Sequence, residues 1–309
     1  MEGLVIKTAG NVFLVKTLAG DLHECVVKGN FRIKDLSSTN PVAIGDRVLI
    51  EKTSDDQTYF ITEVLDRSNF IVRKAANLSK QLHILAANID LAILMVTVNH
   101  PQTHTIFVDR FLATAEAYRI PCCLLFNKID LYGAEDSEYL EALIRLYESI
   151  PYPCLKVSAL KGEGIEEVRS LIRGKICLLA GNSGVGKSSL VNRLNPHIQT
   201  KVGPISDYHN KGRHITSYSE MFEIEEETYI IDTPGIKGFN TVDMHVAEVG
   251  HFFPEIFRTS ARCYYNDCTH RHEPGCAVLK AIEEQRISQS RYQSYLSIIE
   301  DAGEGKYRE

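Results

Sequence analysis

No stretch of this sequence is apolar for long enough to cross a membrane. The longest such run, Leu91 to Val98, falls far short of the ~20 residues a spanning helix needs. The opening MEGLVIKTAGN has neither a basic flank nor a long apolar stretch, so no secretory signal is read and a cytoplasmic protein without membrane attachment is expected. Positive charge is not in excess either. With 34 Lys and Arg against 40 Asp and Glu, the formal net charge is −6, which excludes a strongly basic nucleic-acid coat but leaves room for a local basic face. There is no repeat of 20–50 residues and no low-complexity segment. What remains, 44% hydrophobic and 24% charged, is a folded globular composition that excludes wholesale disorder and collagen-like classes. The 309 residues allow roughly two or three domains.

Eight cysteines are present. Cys25, Cys122, Cys123, Cys154 and Cys177 lie in apolar, strand-like runs and read as small buried hydrophobes in a reducing compartment. Cys263, Cys268 and Cys276 instead cluster around His270 in a polar stretch.

Three regions differ in texture. Residues 1–70 carry five short β-type runs (4–8, 12–17, 23–27, 46–51 and 59–65) parted by Gly, Asn and Asp turns, the pattern of a small closed barrel. Residues 71–240 alternate apolar runs with helical periodicity. Strands are expected at 89–98, 121–127, 153–159 and 175–181, helices at 105–120, 137–149, 164–172 and 187–195, and a hairpin at 217–233. This alternation predicts an α/β domain with a parallel sheet. Residues 241–309 hold the Cys/His cluster and two helical patterns, 277–285 and 288–302. The expected fold class is therefore multidomain: β-barrel, central α/β domain and helical C-terminal module.

The run Gly181, Asn182, Ser183, Gly184, Val185, Gly186, Lys187, Ser188 fits GxxxxGK[ST], with Ser189 behind it, after a predicted strand and before a predicted helix. Glycines there let successive backbone N–H groups wrap phosphate oxygens. Lys187 is placed to reach the β- and γ-phosphates, and Ser188 to ligate Mg²⁺. A plain glycine turn needs neither the lysine nor the serine. Asp232 begins DTPG at the end of an apolar strand; its carboxylate can hold Mg²⁺ through water, and the Gly235 N–H can bond a γ-phosphate.

Asn127, Lys128, Ile129 and Asp130 form NKID directly after the 121–126 run. Its Asp can accept from guanine N1–H and N2–H₂, a donor pair adenine does not present. Asn127 and the Lys128 stem brace the base. One strand–helix unit later comes Ser158-Ala159, where the Ala159 N–H can bond guanine O6. Together the motifs make a GTP site, but their order is unusual: NKID and SAL precede the P-loop, and DTPG follows it. Such an order is a circular permutation, tolerable because domain termini often lie close together.

The permuted order, with GNSGVGKSSLVN, KGRHIT (211–216), DTPGIKGF (232–239) and CTHRHEPGCAV (268–278), resembles the RsgA (YjeQ/YloQ) family, ribosome small-subunit-dependent GTPases of bacteria. The resemblance runs along essentially the whole chain. It implies that the barrel is an OB-fold, that the task is late maturation of the small ribosomal subunit, and that this subunit stimulates GTP hydrolysis. Implied partners are GTP, GDP, the subunit and its rRNA. The protein is expected to be a monomer.

A mobile switch loop is read at 206–218. Thr216 is its candidate Mg²⁺ ligand, with Ser217 the weaker choice, because Ile215 stands where the family more often has a first threonine. Ile236 occupies the place where many GTPases keep a water-orienting glutamine. His214 resembles the family's proposed catalytic histidine and, neutral, is able to hydrogen-bond the attacking water; contact with RNA or phosphate, or no role at all, are the other readings of this residue.

Cys263, Cys268, His270 and Cys276 fall within fourteen residues. Three thiolates and an imidazole suit tetrahedral Zn²⁺ with no open position for chemistry. His272 is a rival ligand; the family pattern matches His270. Such a site is expected to stabilise a module with little hydrophobic core of its own. Because DTPG leads straight into that module, nucleotide state is expected to set its placement relative to the barrel. Candidate RNA contacts are Arg32, Lys34, Arg47, Arg262, Arg271 and Tyr264, although residues 1–70 hold 8 Lys and Arg against 10 Asp and Glu. Two other functions fit the motifs: a GTPase of tRNA modification or translation, and a non-hydrolysing GTP-binding RNA module.

Overall fold

The computed structural model describes residues 1–27, 41–52, 58–74, 82–198, 220–232 and 244–304. His214, Thr216, Ser217, Gly235 and Ile236 lie outside these residues, as do Arg32 and Lys34; for Asp232 the backbone alone is described.

In chain order the elements are β1 (Glu2–Ala9), β2 (Val12–Thr17), β3 (Leu22–Val27), β4 (Arg47–Lys52), β5 (Tyr59–Val64), β6 (Phe70–Lys74), β7 (Leu82–Ala87) and β8 (Leu91–Val96). Then come α1 (Thr105–Ala117), β9 (Cys122–Phe126), α2 (Ala134–Ser149), β10 (Cys154–Lys156), α3 (Ile165–Ile172), β11 (Ile176–Ala180) and α4 (Lys187–Leu194). The hairpin is β12 (Glu220–Glu225) and β13 (Thr228–Asp232), and the chain continues with α5 (Pro254–Ser260), α6 (Ala277–Glu283) and α7 (Gln289–Glu304). The expected strands and helices fall within a few residues of these bounds. Three elements were not foreseen: β6 and β7, which pair antiparallel, and α5, which a 3-10 turn at Val249–Phe252 precedes.

The described chain forms two compact units. The first takes in Met1–Ile93, Ala159–Ala180 and Gly186–Lys237; the second takes in Leu94–Ser158, Gly181–Val185 and Gly238–Glu309.

In the first unit, alternation such as VFLVKT turns Phe13, Val15 and Thr17 inward. Phe13 and Val15, with Val5, Cys25, Val42, Val48, Ile50 and Ile61, fill the barrel. β1 pairs with β2, β2 with β3, β3 in parallel with β5, β5 with β4, and β4 back with β1. This closed 1-2-3-5-4-1 order is an OB-fold barrel. Beside the strands Arg67 forks onto buried Asp46, the residue before β4, Nε to Oδ1 at 2.6 Å and Nη2 to Oδ2 at 2.7 Å. The same unit holds β11 in parallel with β13, and β12 antiparallel to β13. β12 also pairs antiparallel with β1, Lys7 opposite Glu220, and Lys16 Nζ reaches Glu223 at 2.5 Å. The barrel is thus hydrogen-bonded to the hairpin, a junction the sequence pattern did not announce.

In the second unit β9, buried throughout, runs parallel to β10 with Leu124 opposite Cys154. The C-terminal helices pack on α1. Val249, Phe253, Ile256, Val278, Ala281, Ile287, Tyr295, Ile298 and Ile299 form a core that takes in Ala113 of α1. The expectation of little core in this module is corrected: amphipathic α5–α7 share an apolar face with α1, and the Cys/His cluster caps that core. The seam is also polar. Arg291, 1% exposed, reaches Asp109, 0% exposed, at 2.9 Å, and Glu255 at 2.7 Å. Ser294 and Tyr147 donate to the Asp109 carboxylate at 2.5 and 3.0 Å. Burial works against the Arg291 charge, yet Asp109 and Glu255 outweigh it and hold the guanidinium above its ordinary value. Of the five scattered cysteines, Cys25, Cys122, Cys123 and Cys177 are buried and Cys154 half-buried, all as free thiols.

Candidate nucleotide site and metal centre

The apolar strand β11 ends at Ala180, and the next six residues turn the chain into α4. Gly181, Gly184 and Gly186 have φ of 144°, 80° and 104°, the left-handed region that glycine adopts without strain. A Cβ on Gly181 would lie 2.5 Å from the Met95 carbonyl oxygen, closer than any side chain tolerates. Val185 is fully buried and anchors the loop. Asn182 is half-buried, while Ser183 and Gly184 are exposed. Lys187, Ser188 and Ser189 open α4, half-buried, with no acidic residue in that first turn. A glycine-built loop entering a helix N-terminus is the form that receives phosphate.

The NKID loop follows β9. Asn127, 2% exposed, donates from Nδ2 to the Val185 carbonyl at 2.7 Å. This bond ties the NKID loop to the glycine-rich loop after β11 inside the second unit. Lys128 sits in the left-handed region at φ 66°, and its Nζ donates to the His100 carbonyl. Burial lowers the Lys128 pKa, and Asp130 opposes that shift. Asp130 lies half-buried in a 3-10 turn, Ile129–Leu131, with the Ile129 N–H on the Val157 carbonyl at 3.3 Å. Ser158 and Ala159, one residue further along, are 0% and 5% exposed.

Asn127, Lys128, Ile129, Asp130, Ser158 and Gly181 to Val185 therefore share one unit. Ala159, Gly186, Lys187, Ser188, Ser189 and Asp232 belong to the other. There Asp232 closes β13 opposite Leu179 of β11, two residues before the first P-loop glycine. No motif in the sequence singles out Tyr132, His100 or Pro101. Tyr132 follows NKID by two positions; Pro101 lies 3.7 Å from the Cβ position of Gly184.

The ligand atoms of Cys263, Cys268, His270 and Cys276 all lie within 4.8 Å of one another. Cys263 Sγ is 3.6 Å from His270 Nδ1 and 3.9 Å from Cys276 Sγ, and Cys276 Sγ is 3.5 Å from His270 Nδ1. Bonds of about 2.3 Å to sulfur and about 2.0 Å to nitrogen at tetrahedral angles give edges of about 3.8 Å (S–S) and about 3.5 Å (S–N). The residues fit a tetrahedral Zn²⁺. His270 lies in the cluster, whereas the rival His272 is exposed and outside it. Burial pushes the Cys268 thiol up to about 12 and raises Cys276, and it lowers His270; a bound cation releases such thiol protons.

The surrounding shell was not read from the sequence. Glu273 accepts from the N–H groups of Thr269, Arg271 and His272 at 2.7, 2.9 and 3.1 Å. The Thr269 hydroxyl also donates to it, at 2.5 Å. Burial alone would raise the Glu273 pKa, but the bonds from the Thr269 hydroxyl and from the Thr269 and His272 N–H groups hold it well below the ordinary carboxylate range. Tyr292 and Tyr295 donate to the carbonyls of His270 and Thr269 at 2.7 and 2.8 Å. Around the cluster Tyr264 is 79% exposed, and Arg262 and Arg271 are exposed. On the barrel Arg47 is exposed and lies 3.7 Å from Glu2.

The fold and the motif order define a circularly permuted P-loop GTPase with an N-terminal OB barrel. The family model for the RsgA GTPase matches residues 64–242, and that for the RsgA N-terminal domain matches residues 2–60. The chain belongs to the RsgA GTPase family. The small ribosomal subunit biogenesis GTPase RsgA of Bacteroides fragilis is 58% identical over 308 residues, 100% of this chain and 99% of that protein. Its counterpart in Phocaeicola vulgatus is 59% identical with the same coverage. Among solved structures, YjeQ from Thermotoga maritima matches with a TM-score of 0.80 at 31% identity, over 97% of this chain and 98% of that one. YloQ, a circularly permuted GTPase, matches in fold with a TM-score of 0.77 at 24% identity, over 100% and 96%. No helix among the described residues is long and apolar enough to cross a membrane.

Proposed function

We propose that this chain hydrolyses GTP during late maturation of the small ribosomal subunit, binding the subunit in its GTP state and turning over when the subunit stimulates it. The observation that carries the guanine site is the 2.7 Å bond from Asn127 Nδ2 to the Val185 carbonyl. The process is supported by full-length relatives named for it.

In this reading Asp130 pairs with guanine N1–H and N2–H₂, and Asn127 and Lys128 hold the loop around the base. Ala159 supplies an N–H to O6. The amides of Gly181 to Ser189 and the Lys187 ammonium take the phosphates. Mg²⁺, when bound, neutralises charge on the β- and γ-phosphates; Ser188, Thr216 and, through water, Asp232 are its candidate holders. Gly235 senses the γ-phosphate, and His214 orients the attacking water in place of a glutamine. Cys263, Cys268, His270 and Cys276 hold a structural Zn²⁺. The functional regions run 1–70, 71–240 and 241–309. The barrel and the zinc module face rRNA, with Arg47, Arg262, Arg271 and Tyr264 as contacts. The protein works as a cytoplasmic monomer.

Phosphate release measured with and without purified small subunits tests the reading. Strong stimulation is expected. Good turnover with no response would point to another pathway, and no turnover in either condition would point to a non-hydrolysing module.

A further inference from the structure

Tyr132 lies just beyond the guanine loop, and its hydroxyl is used on both sides. The Val98 N–H donates to Tyr132 Oη at 2.9 Å, and Oη donates to the Asn127 carbonyl at 2.5 Å. One phenol thus joins the residues that follow β8 to the first residue of NKID. The ring is half-buried, and burial raises the hydroxyl pKa, so it stays a neutral donor and acceptor at working pH.

The rest of the loop is held from other directions. The Asn127 N–H donates to Val96 at 2.8 Å and its Nδ2 to Val185. Lys128 Nζ donates to the His100 carbonyl. The segment that carries His100 is itself tied down, with Thr97 Oγ1 on the Pro101 carbonyl at 2.5 Å and the Thr103 N–H on the Thr97 carbonyl at 3.0 Å. Asn127 is held through its N–H, its side chain and its carbonyl, and the carbonyl bond is the one Tyr132 makes.

We infer that Tyr132 is a positioning residue for guanine recognition: its hydroxyl fixes the peptide after Asn127 and so aims Asp130 at the base edge. This rests on the reading of NKID as the guanine site. A carboxylate that must meet two donors at once is sensitive to small rotations of its loop, whereas the phosphate contacts of the P-loop are not made by this peptide.

The test is Tyr132→Phe, which keeps the ring and removes the hydroxyl. Affinities for GTP and inosine triphosphate are measured for both proteins, since the inosine nucleotide offers Asp130 one donor fewer. Wild type should prefer GTP. The variant should lose about tenfold in GTP affinity, the scale of one weakened hydrogen bond between the Asp130 carboxylate and the base, and much less for inosine triphosphate, so that the preference shrinks. KM for GTP should rise with kcat held, and the melting temperature should change by a few degrees at most. A variant that retains the full preference overturns the proposal, whether it is stable or destabilised. A wild type with no preference for GTP would instead overturn the guanine reading beneath it.

Discussion

Arg291→Met is the most informative perturbation of the seam between α1 and the C-terminal helices. The methionine stem fills much of the space the arginine stem occupied, so the loss is mainly electrostatic. Arg291 Nη1 leaves Asp109 Oδ1 (2.9 Å), while Nε and Nη2 leave the Glu255 carboxylate (2.7 and 3.1 Å). Glu255 is 11% exposed and can turn toward water, but Asp109 is 0% exposed. It keeps Ser294 and Tyr147 as donors and loses the charge that faces it. Removing one partner of a buried pair costs about 3–5 kcal/mol. For a unit of this size that is a drop in melting temperature of about 10 °C, read by calorimetry at pH 7. The sign of the pH dependence follows. Burial already pushes the Asp109 pKa up, with Arg291 pulling it down; without Arg291 it rises further. A carboxyl whose folded pKa exceeds its unfolded value of about 3.9 binds more protons when folded, so stability falls as pH rises through the folded value. The variant's deficit should therefore be smaller at pH 5 than at pH 7. Adding Asp109→Asn should recover part of it. A loss under ~1 kcal/mol at pH 7, or a deficit that grows on acidification, would refute the reasoning.

Three other outcomes are expected. Asp130→Asn should weaken GTP binding sharply and raise affinity for xanthosine triphosphate, whose 2-oxo group takes an amide donor; a titration with unchanged GTP affinity would remove Asp130 from the site. Freshly prepared protein should carry about one zinc per chain, lost in Cys268→Ser with loosening of α5–α7 and GTP binding mostly intact, as elemental analysis and nucleotide titration will read. His214→Ala should lower subunit-stimulated turnover by roughly 10²-fold with little change in GTP affinity. Normal turnover would clear His214, and loss of subunit binding would make its loop a contact surface.

The parts of this protein that the sequence determined by itself are those whose signal is local. The five barrel strands follow from a period of two read within each run, as in VFLVKT. NKID, the P-loop and DTPG are legible because phosphate and guanine demand particular residues at fixed spacing, whatever surrounds them. Cys263, Cys268 and Cys276 could be read for the same reason, but spacing alone left His270 and His272 as rivals. The folded chain decided between them: His270 turns in at φ 58°, with its carbonyl held by Tyr292 from α7. The pairing of β1 with β12 joins residues 7 and 220 through backbone groups, which no side-chain pattern encodes. Asp109 and Arg291, 182 positions apart, each read as an ordinary charge on an amphipathic helix. Only the packing of α7 on α1 removes them from water and makes one require the other. Tyr132 is of the same kind. A hydroxyl two residues past a motif says nothing until β8 and the NKID loop are brought side by side, because its value lies in two backbone groups that the chain order keeps apart.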